Sequence, residues 1–367
     1  MNEIESIAFY LPQFHPINVN DKKWGKGFTE WTNVAQAKPL YKGHIQPLLP
    51  SDLGFYDLRV PEVRIEQARL AEEAGIKAFC YWHYWFGNGR RVLERPFNEV
   101  LESGQPDFPF CLAWANGSWT GKWKGLGKQI LIEQTYPGVE DYEQHFISLI
   151  PAFSDNRYYK VRGKNLFVIY GTHDLPDSSL FIETWRTLAL KNNLPDFYFV
   201  GVKDAPLTNM EIYDGWIKNQ PTIIGSLSHP GLFEKAIYKF TTLDLMKLIR
   251  YGTVRGPRIY PYKLYVKYSY NLPLSDKEYP NVLPNWDNTP RIAGNGMVLH
   301  GSTPDLYGVL LEKAITLVEK KENKLIFIKA WNEWAEGNML EPSIQFGDQY
   351  LGITKSVLLK YNNIESE

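Results

Sequence analysis

The sequence predicts an α/β fold: a single (β/α)8 TIM barrel spanning residues 1–367, with long aromatic-rich loops at its C-terminal face. Three observations carry that expectation. Eight apolar, strand-like runs alternate with helix-like segments, and parallel strands need such crossovers to return to the same edge. Polar and aromatic clusters follow the apolar runs one after another, whereas an open doubly wound sheet concentrates its site at one switch point. The chain also carries no internal repeat, low-complexity tract or linker, so one domain is the simpler reading.

The first strand, Ile4 to Leu11, ends in FYLPQFHP, where Pro12 and Pro16 stop it and Tyr10 and His15 stand at its exit. A long loop, WGKGFTEWTNV, carries Glu30 and Trp31; loops of that length in compact domains are functional or disordered, and this one is too aromatic for disorder. PEVRIEQARLAEEAG reads as a helix, with Pro61 in its first turn, apolar positions at Val63, Ala68, Leu70, Ala71 and Ala74, and Gly75 as its stop. The second strand, IKAFCYWHYWF, brings Tyr81 and His83, and a helical segment near Val92 to Leu101 follows. The third, FPFCLAWAN, ends at Trp114 and Asn116. VEDYEQHFISLIPAF and SSLFIETWRTLALKNN are helices around the fourth strand NLFVIYG; FYFVGVKD and IYDGWIK are the fifth and sixth strands. LDLMKLIRYG reads as a helix, and YPNVLPNWDN as a less regular seventh strand ending at Trp286 and Asp287. PDLYGVLLEKAITLVEKK is the clearest late helix, and Leu325 to Ile328 form the eighth strand.

With 367 residues, 44% of them hydrophobic, the chain can bury a large core. A net charge of −1 argues against nucleic acid or an anionic membrane surface as the main partner. Aromatic residues reach 15%, with 12 Trp and 23 Tyr, and many stand beside polar residues at strand ends, where flat rings suit the apolar faces of sugars. Cys80 and Cys111 lie in apolar runs and read as reduced core residues, with a disulfide as the alternative. Cys/His spacing fits no metal site and no cofactor motif is present, so neither is expected. The N-terminal stretch lacks a basic leader, and nothing approaches a membrane span; the cytoplasm is the default compartment.

The densest chemistry is in Lys324–Pro342, KLIFIKAWNEWAEGNMLEP. A buried strand delivers Trp331, Asn332, Glu333, Trp334 and Glu336 within six residues, and Gly337 breaks the chain. Acids between indoles at a buried strand end are expensive to place unless something uses them. Two carboxylates in different environments hold different protonation states at neutral pH, as glycosidic bond cleavage requires. The competing reading is that one caps a helix or pairs with Arg or Lys. His15 and His83 suit sugar hydroxyls or proton transfer, or are structural imidazoles. Trp114 with Asn116, and Trp286 with Asp287, read as ring-and-polar pairs; Trp114 is also a credible core residue, and Asp287 a turn cap. Phosphate-cradle, Asp-x-Asp and GxSxG signatures are absent.

The blocks AFYLPQFHP, GFTEWTNV, FCYWHYWF, LAWANGSWTGKWKG, WDNTPR and AWNEWAEGNMLEP together resemble the WbsX-type proteins, glycoside hydrolase family 99-like domains often labelled glycosyltransferases. They span almost the whole chain in the family's order. The resemblance implies a (β/α)8 barrel and a carbohydrate substrate. Family 99 enzymes are retaining endo-α-mannosidases and mannanases that work through an anhydro-sugar intermediate, which implies Glu333 as base on the sugar 2-hydroxyl and Glu336 as general acid/base. Tyr10, His15, Glu30, Trp31, Tyr81, His83, Trp114, Asn116, Trp286, Asp287, Trp331, Asn332 and Trp334 are the expected substrate-binding set. Two positions depart from the pattern: Ala335, where His is expected, and Gly117, where Glu or Gln is frequent. Ala335 implies an altered substrate choice and Gly117 a roomier or altered subsite, while the Glu pair stays intact. The alternatives are a transferase of surface polysaccharide synthesis and a non-catalytic sugar-binding barrel.

Overall fold

The structure, a computed structural model, describes residues 3–121, 129–203, 210–221, 248–249, 252 and 256–363. Its centre is a parallel barrel of β1 (Glu5–Tyr10), β2 (Ala78–His83), β3 (Phe110–Trp114), β4 (Lys164–Ile169), β5 (Phe197–Lys203), β6 (Gly215–Lys218), β7 (Glu278–Tyr279 continued by Asn281–Val282) and β8 (Leu325–Ile328). Each strand pairs with the next, and β8 returns to β1 with Glu5 opposite Leu325 and Ala8 opposite Ile328. The ring closes through β7, whose first half pairs with β6 and second half with β8. Pro280 sits between the halves; it has no N–H to donate, and its carbonyl accepts from the Phe327 amide at 2.9 Å. The eight strands are those the sequence predicts. β2 and β3 are buried along their whole length, so they read as continuous apolar runs rather than alternating ones.

Ten α-helices are described: α1 (Asn18–Trp24), α2 (Glu30–Gln36), α3 (Pro61–Glu73), α4 (Arg95–Ser103), α5 (Val139–Phe153), α6 (Ser178–Lys191), α7 (Tyr262–Tyr268), α8 (Thr289–Ile292), α9 (Pro304–Thr316) and α10 (Gln349–Asn363). Their ends follow local chemistry. Pro61 and Pro304 open α3 and α9, the Asp177 carboxylate accepts from the Leu180 amide at 2.9 Å to start α6, and Thr303 does the same for α9. Between barrel and helices lies an aromatic layer in which Trp185 of α6 meets Phe167 of β4 and Phe181 at 4.7 Å each.

Beyond α7, α8 and a short parallel pair, Arg258–Pro261 with Met297–His300, three further features depart from the sequence reading. The loop after β1 folds into α1 and α2 rather than running free. A two-stranded hairpin, Trp119–Thr120 with Ile130–Ile132, follows β3. Helix α10 packs against α9, where a Cβ on Gly308 would stand 2.8 Å from Ile353 Cγ2, so a side chain there would force Ile353 to shift. The helix expected in LDLMKLIRYG lies almost wholly outside the described residues. Cys80 and Cys111 are buried opposite one another on β2 and β3. Among the described residues no helix is long and apolar enough to cross a membrane.

Candidate active site

The chain leaves β8 clamped to the exit of β1. The Trp331 amide donates to the Phe9 carbonyl at 2.8 Å. The Asn332 side chain brackets Leu11, accepting from its amide at 2.7 Å and donating to its carbonyl at 3.0 Å. A single 3-10 turn, Trp334–Glu336, follows, and Gly337 ends it with φ 65°. Glycine is needed there twice over: for the left-handed backbone, and because a Cβ would lie 3.0 Å from Asp287 Cβ. Beneath the turn the buried Glu341 carboxyl accepts from Trp334 Nε1 (2.6 Å), Gln67 Nε2 (2.6 Å) and the Tyr56 hydroxyl (2.8 Å). These bonds fix the backbone on either side of Glu333.

Above it opens a cleft of about 710 Å³ with Glu333, Glu336, Arg291 and Lys329 at its polar end and Trp82, Tyr84, Trp119 and Tyr170 among its walls. The two carboxyls sit in different surroundings. Glu333 accepts from Trp82 Nε1 at 2.7 Å. Burial, reinforced by the charge of Glu336, pushes Glu333 up to about 8. Burial alone would raise Glu336 as well, but Arg291, which donates to its Oε1, and Lys329, 3.7 Å from its Oε2, outweigh that and hold it below the ordinary range. Each carboxyl feels the other's charge, so near neutral pH the pair holds one proton, resting on Glu333.

Arg291 also donates through Nε (2.8 Å) and Nη2 (2.5 Å) to Oε1 of Glu30, which is completely buried at the start of α2. Burial raises Glu30, with Arg291 opposing. The Lys329 ammonium lies 5.1 Å over the Trp286 ring and donates to the Gln220 carbonyl at 3.3 Å. The polar end is thus a compact arrangement of three carboxyls and two cations.

Of the fifteen residues singled out in the sequence, Glu333 and Glu336 line the cleft. Others form the shell that holds them: Glu30, Trp31 (ring 5.5 Å from Trp334), Trp286, Trp331, Asn332 and Trp334. Asp287 is occupied by its own turn, Oδ2 taking His44 and Gln46 at 2.7 Å each and Oδ1 taking the Thr289 amide and hydroxyl. It thereby steadies the segment that carries Arg291. Asn116 ties the end of β3 to Gly171 beyond β4 through both amide atoms. His15 is buried and contacts the Pro12 carbonyl at 3.1 Å. Tyr10, Tyr81, His83 and Trp114 point away from the barrel axis. The Tyr10 hydroxyl donates to Gln67 of α3 and Tyr81 packs on Phe97 of α4. His83 meets His145 of α5 at 2.8 Å, and Trp114 stacks on Phe181 of α6.

The sequence reading did not single out Arg291, Lys329, Trp82, Tyr84, Trp119 or Tyr170. Period-2 alternation offers a signal for two of them: Trp82 and Tyr84 lie on the face opposite Tyr81 and His83. Arg291 lies in the quoted block WDNTPR, where its charge alone does not reveal a carboxylate partner. Gly117 lines the cleft with open space where a side chain would stand, its nearest atom there being Asp174 Oδ2 at 4.0 Å. Ala335 is buried.

A parallel barrel with paired, unequally charged carboxyls at the end of an aromatic-walled cleft has the build of a carbohydrate-active enzyme. The chain belongs to the family described as Glycosyltransferase WbsX, whose model matches residues 6–354. It is 35% identical over 369 aligned residues to the uncharacterized protein WxcX of Xanthomonas campestris pv. campestris, covering 98% of this chain and 50% of that protein. The chain therefore spans about half the length of that relative. Its fold is similar to that of a glycoside hydrolase-like protein (18% identity, TM-score 0.62, covering 98% of this chain and 94% of that one). It is also similar to the GH99 endo-alpha-mannosidase of Bacteroides thetaiotaomicron (16% identity, TM-score 0.51, covering all of both chains).

Proposed function

We propose that this protein is a retaining glycoside hydrolase that cuts within an oligosaccharide or polysaccharide, with a mannose-like sugar over the Glu333–Glu336 pair. The observation that carries the reading is the placement of two carboxyls, Glu333 against Trp82 and Glu336 against Arg291 and Lys329, at the polar end of one cleft. One acid and one base are what glycoside cleavage consumes and restores.

In the proposed reaction the Glu333 carboxylate takes the proton of the sugar 2-hydroxyl. The oxygen so freed attacks C1, the bond from C1 to the leaving oxygen breaks, and Glu336 gives that oxygen its proton. Water then opens the 1,2-anhydro ring at C1, passing its proton to Glu336, while Glu333 returns the first proton to O2. Two inversions at C1 give net retention. The resting site holds its single proton on Glu333, so substrate binding must be accompanied by transfer of that proton from Glu333 to Glu336 before the first step. Neither carboxylate attacks carbon, because the substrate supplies the nucleophile.

Glu336→Gln is expected to abolish hydrolysis of an activated mannoside, and azide, a nucleophile that needs no base, is expected to restore turnover as the glycosyl azide. Glu333→Gln is expected to be inactive with or without azide. Undiminished hydrolysis by either variant, with the melting temperature retained, rules the assignment out. A second reading, transfer of the sugar to another glycan, is favoured by the description of the family. In the same site an acceptor hydroxyl would replace water in the second step, and stabilisation by a nucleotide sugar in a thermal-shift assay would favour it.

A further inference from the structure

Beside the catalytic cleft lies a second hollow of about 530 Å³, enclosed by the exit of β1, by α1 and α2, and by the hairpin after β3. Ser118 and Trp119 line both hollows, so the two are neighbours with one indole as a common wall. That indole is fixed edge-on against Tyr84 (5.2 Å) and Phe86 (5.8 Å). The Lys23 ammonium donates to Gln129 at 2.6 Å and ties α1 to the residue just before the second hairpin strand.

The lining has a definite chemical character. Gln13, Asn20 and Asn33 present amides, Trp24 and Phe28 present rings, and no described lining residue is charged. Asn20 is 2% exposed, and its Nδ2 has no hydrogen-bond partner among the described residues. A buried amide donor left open at the wall of a hollow is costly unless a ligand or water meets it. Neutral amide donors and acceptors beside flat apolar rings fit a neutral sugar ring, with its hydroxyl edge and its C–H face. They do not fit a phosphate or a carboxylate, which call for cations or an array of N–H groups.

We propose that this hollow is a second glycan subsite, taking a neutral sugar unit of the same chain whose scissile bond lies over Glu333 and Glu336. The proposal rests on the glycosidase reading above and deepens it. The substrate is then long enough to pass Trp119, and its remote units supply binding energy without touching the reacting bond. Asn20 is a specificity-determining contact there, and Trp119 is shared by both parts of the glycan.

The test uses the full chain carrying Glu333→Gln, so that ligands survive, and α-linked manno-oligosaccharides of two to six units as probes in titration calorimetry. Affinity is expected to rise about tenfold or more at one step of the length series. Asn20→Ala is expected to abolish that step, while the shortest bound ligand keeps its affinity. Because Asn20 is buried, hydrogen exchange on the unaltered chain provides an independent readout: α1 and α2 gain protection with the long glycan and not with the short one. Binding that is independent of length, with no protection of α1, overturns the subsite and leaves the glycosidase reading intact. Failure of every length to bind overturns the mannoside reading and the subsite with it.

Discussion

Replacing Arg291 by Gln separates the two jobs that its guanidinium performs. Its side chain is 6% exposed and donates to Glu30 through two nitrogens and to Glu336 through the third. Glutamine is too short to reach both carboxyls and carries no charge. The first consequence is on stability. Removing one member of a buried ion pair typically costs about 3–5 kcal/mol, because the partner charge is left uncompensated. With an unfolding entropy of about 2.1 cal/mol/K per residue, 367 residues give about 1.3 °C per kcal/mol, so the melting temperature should fall by roughly 4–6 °C. Adding Glu30→Gln removes the stranded carboxylate and should return part of that loss.

The second consequence is on protonation. Arg291 is the strongest of the influences that lower Glu336 against burial. Without it burial prevails and Glu336 moves upward. The one-proton pair exists between the titration of Glu336 on the acid side and that of Glu333, about 8, on the basic side. In the unaltered chain Glu336 favours folding above its ordinary range, and that contribution is lost as pH falls through its lowered value. In Arg291→Gln the acid limb of the kcat/KM profile on an activated mannoside should therefore move to higher pH, with the basic limb nearly in place. The Glu30→Gln double variant should recover stability but not the acid limb. A folded Arg291→Gln enzyme whose acid limb is unmoved would refute the reasoning.

Two further outcomes follow from the braces around the turn. Burial raises Glu341 from 4.5 to about 7, so its contribution to folding is full below 4.5 and is lost as pH rises through 7. Urea unfolding of Glu341→Gln between those pH values should lack that fall, a difference of about 3 kcal/mol across the interval, and an unchanged pH slope would contradict it. The amide also leaves one of the donors that now meet the carboxyl facing an NH2 group, so the variant should lose activity at all pH values. Gly337→Ala forces a Cβ at φ 65° to within 3.0 Å of Asp287 Cβ. A loss of about 1–3 kcal/mol is expected, with kcat falling more than KM rises, because Glu336 lies on the same turn; wild-type kinetics would show that the turn is not held tightly.

Much of this architecture is legible in the chain itself. The eight strands are apolar, β-branched or aromatic runs bounded by proline, glycine and polar clusters, and a parallel strand buried on both faces leaves that trace however it is packed. Glu333 and Glu336 stand out because carboxyls rarely follow such a run between two indoles. Helices α1 and α2 are less visible: each has seven residues, too short for a clear apolar period, and each is stabilised by what it packs against.

What the sequence alone determined is the order of the elements and the location of the acid pair, because burial and local chain chemistry act on consecutive residues. Only the tertiary structure decided which side chains face the cleft. In β2 and the residue that follows it, Tyr81 and His83 turn to the helices while Trp82 and Tyr84 turn to the site. Both faces of a barrel strand are buried and aromatic here, so alternation reveals two faces without revealing which is inside. The division of labour within the pair was decided the same way. Arg291 lies 45 residues from Glu336 in the chain, yet its guanidinium and the nearby Lys329 keep that carboxyl ionised while Glu333, against Trp82, keeps the proton. Charge acts through distance in the folded molecule, which neighbouring letters in a sequence do not encode.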